Sequence, residues 1–480
     1  MSNKNKVVSN MIWRFAERCG AQGVAFIVSL VLARLLDPET YGIVALVTVF
    51  TAILQVFVDS GMANALIQKK NADDLDFSTA FYFNLTVCIV LYLGMFFAAP
   101  LIADFYNMPD LTPVVRVLSL TIVVSGVKNV QQAYVSRHLK FKLFFFATLG
   151  GTVGAAIIGI IMAYCGMGVW ALVAQQLFNV ILDTIILWIT VKWRPKAMFS
   201  MERLKGLFGY GWKLLVSGLL DTVYNNVRQL IIGKFYSSAD LAFFNKGKQF
   251  PNLIITNINT SIDSVLLPVI STAQDDLTRV KAMTRKAIKT SSFVIWPLVM
   301  GMAACAEPIV RILLTDKWLP CVFYLQIFCF TYGFWPVHTA NLNAIKAVGR
   351  SDIFLKLEIQ KKIIGVISIL VALPFGVQAI AIAYGLTSPI NALINSRPNR
   401  SLLNYGYREQ IIDMLPSMLL SGFMGVVVYF MNWININIYI LLLLQVIVGV
   451  AIYVGGAYIF KFESLSYIAQ FAREKLKKGR

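Results

Sequence analysis

The chain has 480 residues, 58% of them hydrophobic and 14% charged, with a mean hydropathy of +0.69; soluble globular domains run nearer 45–50% apolar and about 25% charged. That composition excludes an ordinary soluble enzyme and defines an integral membrane protein. The formal net charge of +19 would suit a nucleic-acid binder, but the way the basic residues sort along the chain argues against that partner.

Apolar stretches of roughly 20 residues between polar or basic breaks read as membrane-spanning helices. They fall near 12–36, 42–66, 79–103, 111–135, 143–165, 168–191, 209–233, 248–272, 290–315, 319–345, 354–373, 377–396, 412–431 and 437–460. The expected fold class is therefore all-α and polytopic, with about fourteen transmembrane helices. Runs such as "IIGIIMAYCGMGVWALVAQQLF" do not alternate, which excludes a barrel. The first stretch, "NMIWRFAERCGAQGVAFIVSLVLARLL", is too long for a signal-peptide core and has no obvious cleavage site, so it is expected to stay as a signal anchor.

With the N-terminus cytoplasmic, most of the 43 Lys and Arg fall on the inner side. Examples run from Lys4 and Lys6, through Arg137, Arg194, Lys196, Arg279 and Arg397, to the tail after residue 460. Arg34, Arg116, Lys234, Lys246, Lys248 and Lys317 fall outside. This repeated positive-inside bias predicts that both termini are cytoplasmic, with a secondary attraction to anionic lipid. The six cysteines show no paired spacing, so neither a disulfide framework nor a zinc site is expected, and they read as small core residues.

The longest segments outside the spans, near 192–208, 273–289 and 461–480, are too short to fold as domains. Function is thus expected within the membrane. "VLARLLDPETYG" (31–42) and "IIGKFYSSADLA" (231–242) pair Arg34 with Lys234 at an offset of 200 residues. The second copy follows an even number of spans, as parallel transporter repeats require. Two pseudo-symmetric six-helix lobes, 1–200 and 201–405, are expected, with two further helices and a basic tail over 406–480.

Lipid offers no hydrogen bonds, so polar side chains at depth turn inward or toward water. Helical spacing puts Arg14, Arg18 and Gln22 on one face with Glu17 beside them, and Thr48, Thr51, Gln55 and Asp59 on another. Asp221, Tyr224, Asn225 and Arg228 form a third stripe, and Asn252, Thr256, Asn259 and Asp263 a fourth. The first two helices of each lobe thus carry polar faces. For Arg14, Glu17 and Arg18, snorkelling to the headgroups explains the charges as well as a site does. Asp59 and Asp263 have an equal alternative as interfacial caps, and Arg228 as an outer-end snorkelling group. Asp221 is deeper, which favours function or a structural ion pair. Lys128 with Gln131 and Gln132, Asp183, Glu307 with Arg311, and His338 with Asn341 read as isolated packing or interface features; His138 reads as solvated. No catalytic motif, ATP-binding loop, metal or cofactor signature emerges, so no enzyme activity and no cofactor are expected.

"ARLLDPETYGIVALVTVFTAILQVFVDSGMANALIQKK" (33–70) resembles the corresponding region of bacterial polysaccharide transporters. These are the Wzx-type flippases of the multidrug/oligosaccharidyl-lipid/polysaccharide superfamily. "RLLDPETYG" and "DSGMANALIQ" are most similar to the colanic and teichuronic acid exporter branch. The resemblance implies two lobes around a hydrophilic cavity that opens alternately to each side. The cargo it implies is an undecaprenyl-diphosphate-linked oligosaccharide for exopolysaccharide, capsule or O-antigen synthesis. Such a cargo needs cations for its diphosphate and hydrogen-bonding groups for its sugars, which the four polar faces supply. Arg14, Glu17, Arg18, Gln55, Asp221, Asn225, Arg228 and Asn259 are the expected substrate contacts. An ion-coupled drug or metabolite exporter of the same superfamily, drawing on Na+ or H+, is the alternative; a membrane-embedded glycan polymerase fits less well, lacking lobe symmetry and needing a sizeable outer loop.

Overall fold

The computed structural model describes residues 3–59, 62–468 and 470. The tail beyond 470, which carries most of the terminal basic residues, and residues 60–61 of "DSGMANALIQ" lie outside the described residues. Within them every regular element is helical, as the composition and the absence of alternation require.

The chain divides into two compact units, Met1–Ala242 and Phe243–Arg480. The first is built from α1 (Asn3–Leu35), α2 (Pro38–Asp59), α3 (Met62–Gln68), α4 (Asp74–Tyr106), α5 (Leu111–Leu118), α6 (Leu120–Arg137), α7 (Phe141–Tyr164), α8 (Val169–Thr190) and α9 (Met201–Phe235). Next comes α10 (Ser238–Ser271), most of which belongs to the second unit. That unit continues with α11 (Leu277–Ala304), α12 (Ala306–Leu313), α13 (Cys321–Gly333), α14 (Trp335–Ala347), α15 (Ser351–Ala372), α16 (Val377–Leu403), α17 (Tyr407–Phe430) and α18 (Ile438–Ile459).

Helix ends follow local chemistry. Asp73 caps α4 in a reciprocal capping box with Asp76, and Asn107 ends it in the left-handed conformation at φ 55°. Ser200 caps α9 by accepting from the Arg203 N–H. Ser237 and Asp240 exchange hydrogen bonds at the start of α10.

Eleven helices among the described residues are long and apolar enough to cross a membrane. They match the expected spans except 209–233, 319–345 and 354–373. The first of these lies in α9, whose polar residues lower its hydropathy. The second is divided between the short helices α13 and α14, and the third is α15, which carries Lys356, Glu358, Lys361 and Lys362. The "VLARLLDPETYG" and "IIGKFYSSADLA" segments have the same local architecture. One helix ends at Leu35 and the next starts at Pro38; the counterparts are Phe235 and Ser238.

Four cysteines are buried, as expected of small core residues, but Cys19 and Cys165 are exposed. Each is on a helical surface or end that faces away from the packed interior of its unit.

Candidate functional site

Helix α1 packs on α7. Trp13 meets Phe145 edge-on, the Thr148 hydroxyl donates to Glu17 at 3.4 Å, and Gly20 approaches Leu149. At 100° per residue, that contact face leaves two other faces exposed. One carries Arg14, Arg18 and Ala25; the opposite one carries Cys19, Gly23 and Ile27. Arg14 donates to Glu17 at 2.7 Å and rests over the rings of Phe141 and Phe144. Glu17 is largely covered, with 13% of its side chain exposed, whereas Arg14 has 55%. Glu17 thus bridges Arg14 to α7, and Arg18 stands exposed one turn further on.

The polar face of α2 meets α6 and α8. Gln55 donates to Asp59 at 3.2 Å, and buried Asn129 of α6 donates both to the Val58 carbonyl and to Asp59. One residue before Asn129, Lys128 forms an ion pair with Asp183 of α8 at 2.8 Å, both side chains being largely covered. Thr48 reaches Gln176 of α8 at 3.4 Å. Lys128 and Asp183, which read singly as isolated packing features, are therefore partners.

Helix α9 belongs to the first unit. It runs antiparallel to α2 with two close approaches, Leu46 to Gly233 and Val56 to Gly218, and just beyond its end Gly42 of α2 meets Ser238 at the start of α10. Of its stripe, Asp221 and Asn225 are exposed, while Arg228 is buried with its guanidinium 5.9 Å from the Tyr224 ring. Arg14, Glu17, Arg18, Gln55, Asp221, Asn225 and Arg228 thus belong to one unit but lie on three helices, α1 packing on α7 and α2 on α9.

In the second unit, α10 presents its polar stripe to α13 and α14. Tyr332 donates to Asn252 at 2.8 Å, Thr339 to Asn259 at 2.7 Å and Asn343 to Asp263 at 2.7 Å. Residues 332, 339 and 343 repeat the spacing of 252, 259 and 263, a signal present in the sequence but unused there. Deeper in this unit, Asn341, Gln410, Asn399 and Ser396 form a buried amide and hydroxyl network. Beside it the Asp413 carboxylate receives Arg285 through two guanidinium nitrogens, at 2.7 and 2.9 Å, and the Tyr405 hydroxyl. Such hydrogen-bonded polar clusters fix helix register. His338 pairs with Asn395 at 3.0 Å rather than with Asn341.

At the end of the first unit where α3 meets α4, basic loops are neutralised by acidic residues. Lys69 contacts Asp76 at 2.6 Å and Lys196 contacts Asp74 at 2.5 Å. Arg137 donates to the carbonyls of Leu66, Lys69 and Lys70, capping the end of α3. The Asp76 backbone N–H, with Arg203 nearby, holds Asp73 below the usual carboxylate range.

The polytopic helical architecture, with exposed cation-bearing helix faces, is that of a membrane transporter, and comparison with known proteins agrees. Residues 31–323 match the model of the polysaccharide biosynthesis protein family, and the chain belongs to that family. It is 22% identical to the lipopolysaccharide biosynthesis protein WzxC of Escherichia coli (strain K12), over 89% of each chain. It is 21% identical to the teichuronic acid biosynthesis protein TuaB of Bacillus subtilis (strain 168), over 90% of this chain and 89% of the relative. The succinoglycan biosynthesis transport protein ExoT of Rhizobium meliloti (strain 1021) is 21% identical over 73% of this chain and 71% of its own length. Among solved structures the fold is similar to the lipid II flippase MurJ, with a TM-score of 0.76, 15% identity and coverage of 94% and 98% of the two chains. It is also similar to a multidrug resistance MATE transporter in an inward-facing conformation, with a TM-score of 0.62, 14% identity and coverage of 82% and 98%.

Proposed function

We propose that the protein flips an undecaprenyl-diphosphate-linked oligosaccharide from the inner to the outer leaflet of the bacterial cytoplasmic membrane, by alternating access, for exopolysaccharide, capsule or O-antigen synthesis. The observation that carries this reading is the pair of exposed faces on α1. The face with Ile27, 61% exposed, suits lipid, whereas the guanidinium groups of Arg14 and Arg18, at the start of the span, call for water or an anion. A diphosphate satisfies them with charge-assisted, geometrically specific hydrogen bonds.

In this account Arg14 and Arg18 receive the diphosphate. Glu17, already hydrogen-bonded to Arg14, competes for the guanidinium and keeps the cargo from binding too tightly to leave. Gln55, Asp221, Asn225 and Arg228 line further stages of the path, and Asn259 offers its amide to sugar hydroxyls. The two lobes, 1–200 and 201–405, are the moving bodies, with 406–480 appended and both termini cytoplasmic. Coupling to Na+ or H+ completes the cycle.

A drug exporter relies on a free acidic group at mid-lobe. The engagement of Asp183 by Lys128 favours the lipid-linked anion instead. Depleting the protein in its host and following the lipid-linked oligosaccharide tests the proposal: the intact lipid-linked glycan should accumulate on the cytoplasmic leaflet. Unchanged export after depletion, with no accumulation, would refute it.

A further inference from the structure

Where α6 ends and α7 begins, the first unit has an open pocket of about 350 Å³ lined by Tyr134, Lys140, Lys142, Thr190 and Lys192, with no acidic residue in its walls. Nearby cations are neutralised: Lys69 by Asp76, Lys196 by Asp74 and Arg203 by Asp73. Among the described residues no carboxylate pairs with Lys140, Lys142 or Lys192. Aromatic faces hold two of these ammonium groups instead. Lys140 lies 5.7 Å from the Tyr134 ring, and Lys142 lies 5.4 Å from Trp13 and 5.8 Å from Phe146. Ring faces position a cation without cancelling its charge. Three like charges in one pocket repel, and a bound anion relieves that repulsion.

The surroundings identify the anion. Lys142 begins a stripe on α7 that continues through Phe146, Val153, Ile157 and Ile161, which are 41–57% exposed, at spacings that keep them on one helix face. Helix α8 packs along α7, with Gly151 against Asp183 and Gly159 against Gln175, and exposes Ile185 and Ile189 just before Thr190 and Lys192. The pocket therefore sits at the polar end of a lipid-facing apolar strip. Soluble phosphate has no use for such a strip; a molecule with one phosphate and two acyl chains uses both parts.

We propose that this pocket, built by Lys140, Lys142 and Lys192 at the end of the α7–α8 strip, binds the phosphate of an anionic phospholipid whose acyl chains lie against Phe146, Ile185 and Ile189. Basic pockets between transmembrane helices recognise anionic headgroups in this way. The pocket adjoins the foot of α1, where Lys142 lies over Trp13 and Arg14 over Phe141, but its three lysines are not among the residues assigned to the transported cargo.

The test uses full-length protein in detergent, titrated in parallel with phosphatidylglycerol, phosphatidylcholine and inorganic phosphate. Retained lipid is counted by native mass spectrometry and thermal unfolding is followed. Phosphatidylglycerol is expected to be retained and to raise the unfolding temperature, while the other two do neither. The combined Lys140→Gln, Lys142→Gln and Lys192→Gln variant should lose affinity by about tenfold or more. The corresponding triple arginine variant should keep it, and the single Lys192→Gln change, on an exposed connector, should give a smaller loss in an intact fold. Equal phosphatidylglycerol retention by the wild type and the triple glutamine variant overturns the proposal. So does equal retention of phosphatidylcholine, or an unfolding shift by inorganic phosphate that matches the lipid's.

Discussion

Gly42→Ala is the smallest change that tests the close packing of α2 against the α9–α10 turn. A Cβ at residue 42 would lie 1.8 Å from the Ser238 carbonyl oxygen, 2.4 Å from its carbon and 2.8 Å from its Cα, where ordinary contact begins at 3.4 Å. The two segments must separate by about 1.6 Å, and because the obstacle is backbone no rotamer change relieves it. Overpacking of this kind costs about 1–3 kcal/mol, and a rigid contact belongs at the upper end. At ~3 kcal/mol the observed arrangement loses population on the order of 100-fold relative to open ones. Hydrogen exchange over 36–42 and 236–242 should accelerate accordingly, and glycan export should fall. Gly94→Ala is the control, since its Cβ meets nothing within 4 Å, and helix propensity should make it neutral or stabilising by up to about 1 kcal/mol. Wild-type exchange and export in the Gly42→Ala variant would refute the reasoning.

Lys128→Met and Asp183→Leu should each destabilise the first unit by about 3–5 kcal/mol, while the double variant recovers most of the loss; thermal unfolding in detergent measures this, and additive single effects would contradict the pairing. Asp73 is held below the usual carboxylate range, so its contribution to the start of α4 is fully present above the ordinary carboxylate pKa of about 3.9 and is lost as pH falls through the lower folded value. Exchange of the Asp76 and Phe77 amides should rise only in strong acid, and Asp73→Ala should abolish that dependence at a cost of about 1 kcal/mol at neutral pH. For topology, cysteines placed at Asn5 and Asn107 should react with impermeant reagents from opposite sides of the membrane, Asn5 from the cytoplasmic side; labelling of both from the same side would overturn the topology.

The membrane class, the helical fold and most spans were legible because hydropathy is a local property that a window of residues carries entire. Span 209–233 falls within the long helix α9, whose polar content leaves it outside the helices apolar enough to cross a membrane. The Arg14–Glu17 contact was legible too, since residues three apart share a helix face. Lys128 and Asp183 were each visible, but their pairing depends on how α6 meets α8. Likewise the partners of Asn252, Asn259 and Asp263 lie eighty positions away, on helices whose facing could not be read from their own periodicity. The paired approach of Gly42 to Ser238 joins the two halves of the repeated motif, which sequence comparison could align but not place in contact. The lysine pocket escaped notice because positive-inside counting treats each loop cation as equivalent, whereas its character comes from the absence of carboxylates nearby.

The central claim is that the cationic face of α1 carries a lipid-linked diphosphate across the membrane, and reconstitution measures it most directly. Wild-type protein and the Arg14→Gln, Arg18→Gln double variant, inserted at equal density into vesicles containing undecaprenyl-diphosphate-linked oligosaccharide, are compared by the rate at which the glycan on one leaflet becomes accessible from the other. The account predicts transfer by the wild type, little or none by the double variant, and an intermediate rate for Arg18→Lys, which keeps the charge but loses the bidentate fork. Equal transfer by wild type and double variant would assign these arginines to anchoring the helix end, and no transfer by the wild type would contradict the flippase reading itself.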